Sequence, residues 1–166
     1  QVIYAGTASK SLAPGVRLGW LVIPSALVDE VSEVQALTLR NTSSLDQLTL
    51  ARFITSGGYD RHIRRCRLAY RRRRDRLIAA VQKQAPGVRV SGIAAGLHAL
   101  LRLPADLNER EVVTRAADHG LALEGLSAYA AGEPADAALV IGYGTPPEHA
   151  YTAALARLAA VLRGAV

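Results

Sequence analysis

A single lysine, Lys10, lies in a segment of small and hydroxylated residues near the start of this 166-residue chain. Apolar runs flank the segment on both sides, at residues 2–5 and 18–23. A lysine that acts as an amine nucleophile has to lie near a partly desolvated pocket, where its neutral form is accessible. The surroundings of Lys10 therefore indicate chemistry rather than an ordinary surface position.

Hydrogen-bond donors accompany Lys10 along the sequence. Thr7 and Ser9 supply hydroxyls, and Arg17 supplies a planar fork of donors. Glycines stand two residues before and two residues after Arg17, and residues without a Cβ allow a tight turn and a close approach to a ligand. This spacing indicates that a phosphate could bind beside the Lys10 amine.

The same residues resemble the lysine motif of fold-type I aminotransferases that use pyridoxal 5′-phosphate, written S/T-x-S-K-x-x-A-P-G-x-R-x-G. Every fixed position is present, as Thr7, Ser9, Lys10, Ala13, Pro14, Gly15, Arg17 and Gly19. The resemblance implies that Lys10 forms an aldimine with the cofactor while Thr7, Ser9 and Arg17 contact its phosphate. The alternative is a basic loop between two strands, because short motifs have a large false-positive risk.

Residues 59–84 predict one long amphipathic helix. Nine arginines lie in this segment, which makes it the main source of the net charge of +6. Its apolar residues recur at helical spacing and form one stripe: Ile63, Cys66, Tyr70, Leu77 and Val81. We expect the arginines to be solvated or ion-paired around the rest of the helix, and the alternative is a surface for anions or nucleic acid.

This helix carries a second resemblance. The pattern H-x-R-R-x-R-x-x-Y-R-x-R-R-D runs from His62 to Asp75. It resembles the helix that links the large and small domains in MocR-type regulators of the GntR superfamily, in which a winged helix-turn-helix is fused to an aminotransferase-like body. The resemblance implies a homodimer, DNA binding through a winged helix-turn-helix outside this chain, and a small-molecule effector that is an amino acid or the cofactor.

The predicted fold class is α/β, as the C-terminal part of the fold-type I aminotransferase fold. Residues 1–58 would form the end of the large cofactor-binding domain, residues 59–84 the linking helix, and residues 85–166 a small α+β domain. The small domain is expected to run strand-strand-helix-strand-strand-helix, with its helix capped by Asn108 and its third strand at 121–123. Because the chain contains no methionine, we expect it to be a fragment.

In residues 1–58 we expect two buried strands, at the apolar runs 2–5 and 18–23, because short apolar runs ended by Gly or Pro are typical of buried strands. A helix capped by Ser25 should follow, with its apolar residues facing inward.

One departure from the family bears on function. Catalytic members carry an arginine in the last strand that binds the substrate α-carboxylate, and the aligned residue here is Val140. We therefore predict a cofactor-binding effector domain of a transcription regulator. The alternatives are an aminotransferase for aminoadipate or an aromatic amino acid, with Lys10 as its catalytic residue, and an arginine-rich nucleic-acid-binding domain. His98 and Tyr129 are possible pocket residues.

Composition excludes several other classes. No apolar run approaches the roughly 18 residues of a membrane span, so no membrane partner is expected. A single cysteine excludes an internal disulfide and fits a reducing compartment, so we expect a cytoplasmic protein. The four histidines show no metal-ligand spacing, and no metal site is predicted.

Overall fold

A computed structural model describes residues 2–38, 43–92, 96–132 and 136–164. The chain divides into two compact units, residues 1–65 and 66–166. In the described residues, no helix is both long enough and apolar enough to cross a membrane.

The first unit begins with a β-hairpin. Strand β1 (Tyr4–Thr7) pairs antiparallel with β2 (Gly19–Val22), and Thr7 lies opposite Gly19. A 3-10 helix at Ser25–Leu27 leads into α1 (Val28–Thr38). Helix α2 (Ser44–Thr55) follows, and the Ser43 side chain caps it by accepting a hydrogen bond from the Asp46 N–H at 3.2 Å.

Both predicted strands are present. β1 lies two residues later than the predicted 2–5, and β2 is one residue shorter at each end than the predicted 18–23. Their expected burial is wrong. Tyr4 in β1 is 59% exposed, and Val22 in β2 is 61% exposed. Within the first unit the sheet has only these two strands among the described residues, and Leu21 in β2 is also 56% exposed. An apolar run shows that a segment can be buried, and it does not show what buries it.

Two expectations for the following helix are also wrong. Ser25 does not cap it, because Ser25 is the first residue of the 3-10 helix and its side chain makes no capping bond. The apolar face of α1 is exposed, with Leu37 at 76%. The sequence also indicates that the polar residues 41–44 interrupt the helical pattern, and this segment lies partly outside the described residues, which resume at Ser43.

The long arginine-rich helix is confirmed as α3 (Gly58–Gln84). It begins directly after Gly57, which has a φ of +69° and so turns the chain in a conformation that favours glycine. The predicted apolar stripe is confirmed as well. Leu77 and Val81 are buried in the second unit, and the other stripe residues are half-buried.

The second unit is a four-stranded antiparallel sheet with the order β3-β4-β6-β5. Its elements are β3 (Arg89–Ser91), β4 (His98–Arg102), α4 (Glu109–Asp118), β5 (Glu124–Gly125), β6 (Ala138–Gly142) and α5 (Glu148–Arg163). The predicted order of strands and helices is therefore confirmed. One face of the sheet packs with α3, α4 and α5 to form the core, which includes Leu77, Leu101, Val112, Leu139 and Leu162.

The predicted strand at 121–123 is wrong, since β5 begins at Glu124. After α4, Gly120 adopts a φ of +68°, and the Leu121 N–H donates to the Ala116 carbonyl at 2.9 Å. These two features form a Schellman cap, which uses the first residues after the helix to satisfy its last carbonyls. The apolar residues 121–123 therefore leave the helix before the chain can pair with β6.

Candidate functional site

The lysine loop, residues 8–18, connects β1 to β2 and has a closed neck. The Ala8 N–H donates to the Leu18 carbonyl at 2.9 Å, and both side chains are buried. Ser9 and Arg17 each lie one residue beyond this hydrogen bond, on the two arms of the loop. Local folding thus brings together residues from opposite ends of the motif.

Thr7 braces the neck of the lysine loop. Its Oγ1 donates to the Leu18 carbonyl at 3.2 Å and accepts a hydrogen bond from the Ser9 N–H at 3.1 Å. A threonine hydroxyl has one proton to donate. In this structure that proton is committed to the backbone, so Thr7 would have to release Leu18 before it could donate to a phosphate.

Lys10 and Arg17 are the two cationic groups of the loop, and neither is buried. Neither forms an ion pair with any residue that the structure describes. Arg17 follows a 3-10 helix at Pro14–Val16 and has a φ of 47°, in the left-handed region that costs an ordinary residue about 1 kcal/mol. Such strained positions concentrate at ligand-binding sites.

Two glycines of the hairpin lie where a side chain would be crowded. A Cβ on Gly6 would overlap the indole of Trp20, and a Cβ on Gly19 would lie 3.0 Å from the Gly6 carbonyl oxygen. By contrast, a Cβ on Gly15 would meet open space. The hairpin therefore needs the absence of a side chain at Gly6 and Gly19 in order to pack, and it does not need it at Gly15.

The start of α3 holds the lysine loop through Ser11, one residue after Lys10. The Tyr59 hydroxyl donates to Ser11 Oγ at 3.0 Å, and His62 Nε2 lies 2.9 Å from the Ser11 carbonyl oxygen. The sequence gave no sign that Tyr59 and His62 contact the loop. These contacts fix the backbone on the C-terminal side of the lysine.

In the second unit, His98, Tyr129 and Val140 line one cavity of about 510 Å³. Glu124, which no local sequence pattern reveals, lines it as well and lies directly opposite Val140 in the β5–β6 register. The Tyr129 hydroxyl donates to Glu124 Oε2, and this hydrogen bond raises the pKa of Tyr129. His98 and Tyr129, which are distant in sequence, thus line the same cavity.

Glu109, a further residue that the sequence did not reveal, anchors the segment that carries Tyr129. Its carboxylate accepts hydrogen bonds from the N–H groups of Leu126, Ser127 and Ala138, at 3.1 to 3.2 Å, and from the Ser127 hydroxyl at 2.5 Å. Burial acts to raise the pKa of Glu109, but these hydrogen bonds outweigh it and the pKa is lowered.

Two of the nine arginines of α3 have a structural role in the second unit. Arg73 donates to Glu148 Oε2 at 3.1 Å and to the Gly144 carbonyl at 3.0 Å, and Arg76 donates to Glu148 Oε1 at 3.0 Å. Both guanidinium groups lie 5.0 Å from the ring centroid of Tyr151. This part of the basic helix is thus ion-paired, as one of the two sequence interpretations expected.

Residues 1–133 match the family model for aminotransferase class I and II. The chain belongs to this family. Among solved structures, the α-aminoadipate aminotransferase LysN from Thermus thermophilus, complexed with N-(5′-phosphopyridoxyl)-L-leucine, is similar to it with a TM-score of 0.82 and 26% identity. The similarity covers 98% of this chain and 42% of that one. The predicted fold-type I aminotransferase fold is confirmed.

The relatives of this aminotransferase-family chain include transcription regulators. It is 37% identical over 145 residues to YhdI, an uncharacterised HTH-type transcriptional regulator of Bacillus subtilis (strain 168), covering 87% of this chain and 31% of YhdI. It is 33% identical to the probable rhizopine catabolism regulatory protein MocR of Rhizobium meliloti, covering 86% of this chain and 29% of MocR. The chain thus spans about a third or less of these relatives' length, and its resemblance to MocR-type regulators is confirmed.

Proposed function

We propose that this chain is the cofactor-binding part of an aminotransferase-like effector domain in a MocR-type transcription regulator. The observation that carries the proposal is the lysine loop, whose two ends are joined by the hydrogen bond between Ala8 and Leu18. Within the loop, Lys10 and Arg17 are exposed, and neither forms an ion pair with the described residues. The family supplies the cofactor class, since LysN was solved with a phosphopyridoxyl compound.

The residues of the loop fit a phosphorylated aldehyde. Arg17 and Ser9 offer donors for the phosphate, and charge-assisted bonds from a guanidinium to a phosphate are among the strongest in proteins. Lys10 offers the amine to which the aldehyde of pyridoxal phosphate attaches. Bound there, the cofactor would supply an electrophilic carbon that can exchange one amine for another and a ring that acts as an electron sink.

Thr7 has a positioning role in this proposal. By bonding the Leu18 carbonyl and the Ser9 N–H, it holds Ser9 at the neck of the loop. Ser11 has a related role on the other side of Lys10, because Tyr59 and His62 fix it. The lysine is thus positioned by bonded residues on both sides along the chain, which favours one defined geometry for attachment of the cofactor.

Val140 supports a sensing role over turnover of an α-amino acid. It takes the place of the arginine that binds a carboxylate in catalytic members, and a valine cannot neutralise that charge. In a regulator, ligand binding would shift the balance between two states of the effector domain and so change the affinity of the DNA-binding module. The relatives named above, which are regulators by name, favour this proposal.

The test uses the intact protein that carries this chain. Addition of pyridoxal phosphate should produce an absorption band at the violet end of the visible spectrum, and the cofactor should change the protein's affinity for DNA from its own promoter region. A Lys10→Ala variant should lose both effects. A variant that keeps the band would refute the assignment of Lys10, and a band without any effect on DNA binding would refute the regulatory part.

A second candidate is an aminotransferase that acts on aminoadipate or on a similar amino acid. The observation that favours it is the fold shared with LysN at 26% identity. Transamination of aminoadipate with 2-oxoglutarate by the intact, cofactor-loaded protein would establish it. An activity that stays at the level of free pyridoxal phosphate would eliminate it.

A further inference from the structure

We propose that a cleft beside the β3–β4 strand pair binds a small organic oxyanion, that is, a carboxylate or phosphate group on a compact body. This arginine cleft is lined by Arg89, Arg102, Pro104 and Asp136 among others, and all of its lining residues belong to the second unit. Its volume of about 370 Å³ lies within the range typical of ligand pockets, about 300 to 1,000 Å³.

The strand register brings the two arginines of the cleft together. Arg89 in β3 is the direct partner of Arg102 in β4, and paired residues in antiparallel strands project on the same face of the sheet. Leu101, the neighbour of Arg102 in β4, is fully buried in the core. Because side chains alternate along a strand, both arginines lie on the opposite face of the sheet from the core. Like charges in such a pair repel each other, and an anion between them would remove this repulsion.

Arg102 is already held in place by protein groups. Its Nε donates to Ser91 Oγ at 3.2 Å, and its Nη1 donates to Asp136 Oδ2 at 2.5 Å. Its Nη2 makes no hydrogen bond to a residue that the structure describes, so these donors can bind a ligand. A guanidinium that is fixed beforehand loses less conformational entropy when it binds an anion.

Arg89 carries the charge that is not compensated. It is exposed, and it forms no ion pair within the described part of the chain. The charged residues that line the cleft are these two arginines and Asp136, which leaves a formal charge of +1. A guanidinium presents a planar fork of donors that matches the oxygens of a carboxylate or a phosphate. The cleft therefore favours an anion over a neutral or cationic ligand.

The cleft also offers apolar surface for the body of the ligand. The Pro104 ring lies beside Gly87, where a Cβ atom would come within 3.3 Å of the proline Cγ. Ala105 follows and is exposed. These apolar groups are small, so we expect the acid group to be attached to a single ring or a short chain.

The arginine cleft is separate from the cavity that His98 and Val140 line. No residue lines both of them. His98 is the first residue of β4 and Arg102 is the last, and four residues of a strand span about 13 Å. The cleft also needs nothing from the lysine loop, which belongs to the first unit.

The test compares three probes that share a phenyl ring: phenyl phosphate, benzoate and neutral benzamide. Calorimetry on the intact protein at low salt should show that both anions bind at least about fivefold more tightly than benzamide and compete for one site. The tighter of the two anions identifies the acid group that the cleft prefers. The titrations are repeated on Arg17→Gln, in which the lysine loop has lost its guanidinium, and the same order of affinities is expected.

Two variants locate the site. Arg89→Gln should weaken binding of the anions about tenfold, because it removes the uncompensated charge and its fork of donors. Asp136→Asn keeps an oxygen that can accept from Arg102 but removes a negative charge, so it should tighten anion binding about threefold. Arg71→Gln is the matched control: Arg71 is exposed on α3 and does not line the cleft, and this variant should bind the probes like the unmodified protein.

Three results would overturn the proposal: no saturable binding of either anion, equally tight binding of benzamide, or undiminished anion binding by Arg89→Gln. Because Arg89 is exposed, thermal unfolding should show that Arg89→Gln folds like the unmodified protein. The result on Arg17→Gln separates this site from the proposed cofactor site. Failure of the assignment of Lys10 would leave the arginine cleft standing, and the reverse also holds.

Discussion

The carboxylate of Glu109 occupies the space that a Cβ atom on Gly125 would need. Gly125 is the last residue of β5, and the carboxylate passes over it to reach the N–H groups of Leu126, Ser127 and Ala138. The glycine thus permits the anchor, and the anchor in turn sets the position of Tyr129 at the cavity.

Gly125→Ala should destabilise the protein by about 1–3 kcal/mol, because the methyl group displaces a carboxylate that satisfies several donors. Urea unfolding of the intact protein measures the effect. Gly132→Ala is the matched control, since a Cβ at that position meets open space, and it should unfold like the wild type. Equal stability of the two variants would show that Glu109 can move without loss.

The stability contributed by Glu109 should depend on pH in a defined direction. Its folded-state pKa lies below the ordinary value of 4.5, so its contribution is present above that value and is lost as the pH falls through the folded-state pKa. At neutral pH, Glu109→Gln should therefore unfold at lower urea concentration than the wild type, and the difference should shrink in acid. A difference that stays constant from neutral to acid pH would contradict the anchor.

Arg73→Lys should destabilise the second unit by about 1–3 kcal/mol, although it conserves the charge. A lysine cannot reproduce the fork that contacts Glu148 together with the Gly144 carbonyl, and the Arg73 side chain is only 11% exposed. Thermal or urea unfolding gives the comparison. Arg71→Lys, at an exposed position of the same helix, should change stability by less than about 0.5 kcal/mol. Similar losses for both variants would rule out a special role for Arg73.

Thr7→Val should weaken binding of pyridoxal phosphate about fivefold, because it removes both hydrogen bonds at the neck of the lysine loop while keeping the shape of the side chain. Thr7→Ser keeps the hydroxyl and should bind the cofactor nearly as well as the wild type. Titration of the visible absorption band measures both. Wild-type affinity in Thr7→Val would show that the neck does not need this hydroxyl.

Local sequence signals were sufficient for most elements of the fold. Helix α3 followed from its apolar period, and Asn108 was correctly predicted to cap α4, where its Oδ1 accepts from the Arg110 N–H at 2.9 Å. The prediction of a strand at 121–123 is wrong because the chain first forms the C-terminal cap of α4, in which Gly120 has a positive φ. The prediction that β1 and β2 are buried is wrong because an apolar run carries no information about the layer that would cover it.

The site could be predicted only where its residues are close in sequence. The motif from Thr7 to Arg17 is one loop, and the sequence identified it as such. Glu109 and Glu124 were not predicted because their partners are distant in sequence. Glu109 binds the N–H of Leu126, 17 residues away, and Glu124 lies opposite Val140 across a strand pair. A glutamate on a helix or in a short strand has no local sign of such a partner.

The most direct measurement is the location of the covalently bound cofactor. Lys10 and Lys83 are the only lysines in this chain. The intact protein would be incubated with pyridoxal phosphate, reduced with borohydride to fix the link, digested and mapped by mass spectrometry, with Lys10→Arg as the charge-conserving control. We predict a phosphopyridoxyl group on Lys10 that is absent from the control. Modification of Lys83 alone, or of neither lysine, would contradict the proposed cofactor site.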